Sequence, residues 1–144
     1  MSDRPDVTVA YAGGDSFEIA IRGHRVIVDQ PSETGGDDRG PTPTELFVAS
    51  LVSCMGFFAQ RFLRRNGVDP DGLELVARIA TAERPHRVGS IGIELVLPPM
   101  RGDLVEPLRR VVEHCTVHNS LVTPPEITLS MQHVDPSPGG ALSA

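Results

Sequence analysis

The chain has 144 residues, a net charge of −6, 40% apolar residues and only 4% aromatic ones. That length suits one domain with a core of its own. The acidic balance and the lack of any basic run argue against a nucleic-acid partner.

All 13 basic residues are arginine, which reads as compositional bias. The polar start Met1–Asp6 lacks the pattern of an export signal and leads toward a strand. A cytoplasmic setting is expected, in which stable structural disulfides are rare.

From the N-terminus, residues 7–11, Phe17–Ile21 and His24–Val28 alternate apolar and polar side chains, separated by Gly13-Gly14-Asp15 and Gly23. Spacing this short predicts a meander of antiparallel hairpins. Pro31 to Pro43 is a loop rich in Gly, Pro and Asp. A loop of that size in a compact domain is a lid, a binding loop or a disordered stretch.

Thr42-Pro43-Thr44-Glu45 reads as a helix start, with Thr42 as N-cap, Pro43 at N1 and Glu45 closing a capping box. The helix runs to about Arg65, where Asn66-Gly67 ends it. Its first turns are apolar nearly all round, so other structure should enclose it. The apolar stretch from Leu46 to Ala59 falls short of the ~18 residues of a membrane span. It is read as a buried helix, with no membrane partner.

Strands follow at Leu73–Ala82 and Ile91–Leu97, with a turn over 84–90. Helical spacing returns from Leu104 to about His114, with Pro107 in its first turn. A short turn or helix at 119–122 and a last strand at Glu126–Met131 complete the order β-β-β-α-β-β-α-β. The class is α+β, with antiparallel sheets around an unusually apolar helix. One domain is expected over 1–135 and a disordered tail over 136–144.

Cys54 and Cys115 are the only thiols. Cys54 sits in the apolar helix, with Phe47, Ser50, Phe57 and Phe58 three, four or seven positions away and so on its face. Such a wall would form a thiol pocket for an apolar substrate. The plainer reading is a small buried hydrophobe.

Cys115 lies between His114 and His118 near a helix boundary. A histidinium or a helix N-terminus there would lower its pKa, and the alternative is a helix-end cysteine flanked by solvated histidines. A Cys2His2 metal site is disfavoured because the tight Cys pair is missing. No cofactor is expected.

Glu45 reads as the capping acid, with a site carboxylate as the alternative; on its own helix it lies roughly 13 Å from Cys54. Arg39 reads as a surface residue on the loop, or as a cation folding over the thiol. His24 and Asp29 read as turn or edge residues.

Gly40-Pro41-Thr42-Pro43-Thr44-Glu45-Leu46, running on to Cys54, resembles the helix motif of the OsmC/Ohr-like proteins (osmotically inducible and organic-hydroperoxide-resistance proteins). Cys115-Thr116-Val117-His118-Asn119-Ser120-Leu121 is similar to that family's second cysteine motif. The resemblance implies an intertwined homodimer, with two long central helices wrapped by sheets and thiol sites at the interface. It implies a peroxidase for organic hydroperoxides, reset by a dithiol reductant, with Cys54 peroxidatic and Cys115 resolving.

Carried onto this chain, the site adds Glu45 and Arg39 as catalytic candidates and Phe47, Phe57, Phe58 and His118 as substrate-binding ones. The chain departs from the peroxidase pattern at Asp15 and Thr44, where those members carry Arg and Glu, and at Thr116, where Pro is usual. Glu45 matches a different branch. A non-catalytic binding module for a small apolar ligand and a thiol redox sensor are the other readings.

Overall fold

The alternating N-terminal residues form three antiparallel strands, β1 (Thr8–Tyr11), β2 (Phe17–Ile21) and β3 (His24–Val28), in a computed structural model that describes residues 5–137. The tail expected over 136–144 lies outside the described residues except for Pro136 and Ser137. Arg22 and Gly23 between β2 and β3 both have positive φ, 53° and 100°. Type I′ turns need that geometry, and their twist matches the flanking strands. The sheet makes no substantial packing contact with the helices of its own chain. Val7, Val9, Tyr11 and Phe17 are left exposed.

The Gly/Pro/Asp loop is an ordered connection rather than a free lid. Buried Asp29 accepts the backbone N–H of Gln30 at 2.7 Å and of Arg39 at 3.1 Å. Asp29 N donates to the Pro41 carbonyl at 3.2 Å, and Asp38 N to that of Gln30 at 3.1 Å. Gly36 and Gly40 press against backbone: a Cβ would lie 2.0 Å from the Gln30 oxygen and 2.1 Å from the Ile27 oxygen, respectively.

This connection delivers the chain into α1 (Pro43–Arg65), whose start carries both capping-box hydrogen bonds. Thr42 N donates to Glu45 Oε1 at 2.9 Å and Glu45 N to Thr42 Oγ1 at 3.1 Å. At the far end Val68 N reaches the Leu63 carbonyl at 2.9 Å and Gly67 N that of Arg64 at 3.1 Å, with Gly67 at φ 72°. That pair of bonds is the Schellman stop.

The helix of 23 residues is longer than the apolar stretch within it. By length and composition alone it could cross a membrane, with a mean hydropathy of 1.6 in its most apolar window. It buries only one stripe, Leu51, Met55, Ala59 and Leu63, at steps of four. The enclosure expected all round it is therefore not supplied by the described residues of this chain. Its covering elements pack on that stripe, Phe57 on the opposite side is exposed, and so is Phe47 at the N-terminal end of the stripe.

That cover consists of an antiparallel hairpin, β4 (Glu74–Ala82) with β5 (Arg87–Val96), and two short helices, α2 (Val105–Val112) and α3 (Thr116–Val122). β5 begins four residues earlier than the alternation suggests. Thr81 pairs with Val88 and Ala80 with Ser90, so Gly89 is the extra residue of a bulge that breaks the period of two. Leu108, Val112 and Cys115 join the α1 stripe in one core cluster.

The last expected strand is corrected. Residues 126–131 pair with no strand among the described residues. Ile127, Leu129 and Met131 are 87–89% exposed. Their alternation is real, but among the described residues nothing covers either face.

Candidate functional site

The four-residue periodicity of α1 that buries Met55 and Ala59 leaves Cys54 half-buried at the edge of the core, packed against the cluster that contains Cys115. Cys115 is sealed from solvent at the N-cap of α3. Both are free thiols, and Cys54 packs on the core cluster near enough to Cys115 to act on its titration. The fold therefore unites two residues from distant parts of the chain, because α3 packs back on α1.

The electrostatics of Cys115 differ from the sequence expectation. Burial pushes its pKa up, the N–H of His118 pulls it down, and the Cys54 side chain raises it again. Burial dominates, so Cys115 is held as a thiol. Its neighbouring histidines do not act on the sulfur through their rings. His114 Nδ1 donates to the Arg110 carbonyl at 2.6 Å and His118 Nδ1 to the Glu113 carbonyl. Instead, the backbone N–H of His118 donates to Cys115 Sγ at 3.3 Å.

Other candidates are dispersed. Glu45 is exposed and engaged in the capping box, whose N–H and hydroxyl partners hold its carboxyl below the ordinary value. Arg39 reaches the Ala12 carbonyl at 3.4 Å with Nη1, tying the loop to the first hairpin rather than to Cys54. Phe57 stacks edge-on against Phe58 at 5.3 Å and carries the Arg61 guanidinium 5.5 Å above its ring. Phe47 and Phe57 stand at the surface, 40% and 49% exposed, so the expected wall does not close around Cys54 within one chain.

His118 lines a cavity of about 540 Å³ between β5 and α2, walled by Met55, Ile91, Ile93, Leu95 and Leu108 among others. No cluster of three or more His, Cys, Asp or Glu suited to a metal occurs among the described residues.

Asp29 is the residue that sequence reasoning placed wrongly. It is 1% exposed rather than at an edge. Burial raises its pKa, but hydrogen bonds from the Arg39 and Gln30 N–H groups, the Ser16 side chain and the Asp37 backbone outweigh that and hold it below the usual range. Its only signal in the sequence is a carboxylate beside a loop rich in glycine.

A family profile described as OsmC-like protein matches residues 35–130. No curated protein matches the chain. Among solved structures, the fold is similar to that of an osmotic-stress-induced and detoxification-response protein of Psychrobacter arcticus. The TM-score is 0.76 at 21% identity, over 83% of this chain and 90% of that one. It is also similar to an OsmC-like protein of Mycoplasma pneumoniae, at TM-score 0.69 and 17% identity over 85% and 89%. The organic hydroperoxide resistance protein OhrB of Bacillus subtilis gives TM-score 0.58 at 15% identity over 79% and 88%.

Proposed function

This chain belongs to the OsmC-like protein family, and from that premise we propose that it is a thiol-dependent peroxidase for organic hydroperoxides. The observation that carries the reading is the meeting of two free thiols in one core cluster, one half-exposed and one sealed. Solved relatives named for organic hydroperoxide resistance support it at the level of fold.

In this reading the Cys54 thiolate attacks a peroxide oxygen, the O–O bond breaks, and the alkoxide leaves as an alcohol after taking a proton. Cys54 becomes a sulfenic acid. Cys115 condenses with it, its proton leaving with the hydroxyl as water, and the resulting disulfide protects Cys54 from irreversible over-oxidation. An external dithiol returns two electrons by exchange. The solvent-sealed position of Cys115 suits a resolving thiol, which must meet the sulfenic acid and not the peroxide.

The working form in this proposal is a cytoplasmic homodimer. A second copy would cover what one chain leaves bare: the apolar residues of the β1–β3 sheet, the open face of α1, and Ile127, Leu129 and Met131. Phe47 and Phe57, exposed in one chain, would then line the substrate path near Cys54. Glu45 acts in this account through the helix start, and Arg39 through the loop.

A binding module for a small apolar ligand is the second reading, favoured by the cavity between β5 and α2. Cumene hydroperoxide consumption with dithiothreitol separates the two. Peroxidase chemistry requires that Cys54→Ser consume nothing and that Cys115→Ser stall after one oxidation. Equal consumption by wild type and Cys54→Ser defeats it.

A further inference from the structure

We propose that His118 is a positioning residue for the resolving step: its ring ties the corner between α2 and α3 shut and so holds the Cys115 sulfur in place for Cys54. The proposal rests on the peroxidase reading for the step it names. The corner spans Glu113 to Cys115, between the end of α2 and the start of α3. Cys115 N donates to the Val112 carbonyl at 3.3 Å, and Asn119 N to the Cys115 carbonyl at 2.9 Å.

Side chains meet three further carbonyls here. His114 Nδ1 donates to the Arg110 carbonyl at 2.6 Å, Asn119 Nδ2 to the His114 carbonyl at 3.2 Å, and His118 Nδ1 to the Glu113 carbonyl. A carbonyl only accepts, so each of these ring nitrogens carries the proton. His114 bonds back within the last turn of α2 and is a plain C-terminal cap. His118 instead reaches back from α3 to a carbonyl on the far side of Cys115, so that Glu113 and His118 bracket the thiol. The same residue supplies the backbone N–H that meets Cys115 Sγ at 3.3 Å. His118 thus fixes both the turn around Cys115 and the direction of its sulfur.

A resolving thiol needs that aim. Disulfide closure requires a Cβ–S–S–Cβ angle near ±90° and Cα atoms about 4.4–6.8 Å apart. Misplacing a reacting group by about 1 Å can cost about a hundredfold in rate. Cys115 is sealed in the core and has no open space in which to search. Against the burial that keeps it protonated, the backbone N–H groups of His118 and Val117 favour its thiolate. A loosened corner would lose those donors together with the aim.

The test is quenched-flow mass spectrometry of the reduced full-length chain with one equivalent of cumene hydroperoxide, with dimedone trapping sulfenic acid on Cys54. Two variants separate the hydrogen bond from the bulk of the ring. His118→Phe keeps a ring and loses the donor, whereas His118→Asn keeps an N–H near the place of Nδ1 and loses the ring. All three proteins should oxidise Cys54 at the same rate. His118→Phe should close the disulfide at least about tenfold more slowly and accumulate the dimedone adduct, while His118→Asn closes it near the wild-type rate. If circular dichroism shows that His118→Phe does not fold, Asn119→Ala, at an exposed position, takes its place and should also slow closure.

Equal closure in wild type and His118→Phe, or a matching loss in the rate of Cys54 oxidation, would overturn the proposal. So would equal slowing in both His118 variants, which would assign the residue to packing. A second arm uses diamide, which adds to the Cys54 thiolate and is displaced by Cys115, so that the same disulfide closes as diamide is reduced to the hydrazine. Wild type that ignores the hydroperoxide, yet closes with diamide faster than His118→Phe, would refute the peroxidase reading and uphold the positioning role. Equal closure with diamide in those two proteins would overturn the positioning role whatever the hydroperoxide does.

Discussion

Replacing Cys115 tests its two roles separately, because the residue caps a helix as well as carrying a thiol. Its sulfur is fully buried and accepts the His118 N–H at 3.3 Å. Cys115→Ala removes that acceptor and strands an N–H at the start of α3. Losing an N-cap acceptor costs about 0.5–2 kcal/mol, with a weakly accepting sulfur at the low end. Removing one buried heavy atom adds about 0.8 kcal/mol. The expected loss is therefore about 1.3–2 kcal/mol, a sizeable share of the ~5–15 kcal/mol that holds a typical domain folded.

Cys115→Ser keeps an acceptor at the same place, and serine is among the preferred caps, so it should stay within about 0.5 kcal/mol of wild type. The assay is urea unfolding under reducing conditions, so that no disulfide contributes. An alanine variant within about 0.5 kcal/mol of wild type would refute the capping argument, since that is near the limit set by extrapolation. The serine variant, folded but unable to close a disulfide, is then the clean probe of chemistry.

Gly40→Ala should destabilise by about 1–3 kcal/mol, as overpacking does, because its Cβ would meet the Ile27 backbone oxygen at 2.1 Å; a urea midpoint equal to wild type would contradict this. Asp29 is held below its ordinary pKa, so its contribution to stability is complete above the ordinary carboxylate value and fades as pH falls through the lower folded value. Asp29→Asn should therefore flatten the fall in urea midpoint between pH 5 and pH 3, and an unchanged slope would show that the loop does not depend on the charge. Native protein treated with iodoacetamide should label at half-exposed Cys54 well before sealed Cys115. Peptide mapping showing the reverse order would contradict the burial argument.

Local signals carried much of this molecule. The capping box at Thr42 and Glu45, the Asn66-Gly67 stop and the first meander follow from residue chemistry over a few positions, and they fold as that chemistry demands. The bulge at Gly89 shows where local reading fails. One added residue shifts the alternation, and the strand start disappears from the pattern.

Non-local features were the least legible. That Cys54 and Cys115 meet depends on how α3 returns to α1, and no spacing encodes it. Asp29 looked like an edge residue because its partners come from Ser16, Gln30, Asp37 and Arg39. Residues 126–131 have the alternation of a strand without a partner among the described residues. Sequence patterning records which residues must be covered and leaves open what covers them.

The most direct test of the central claim is the intact mass and free-thiol count of reduced protein after one equivalent of cumene hydroperoxide, run beside Cys54→Ser. The account predicts rapid loss of two hydrogens and of both free thiols in the wild type and neither change in the variant. Wild-type protein with unchanged mass and both thiols free would contradict it, and would show that two thiols brought together on this fold do not suffice for peroxide reduction.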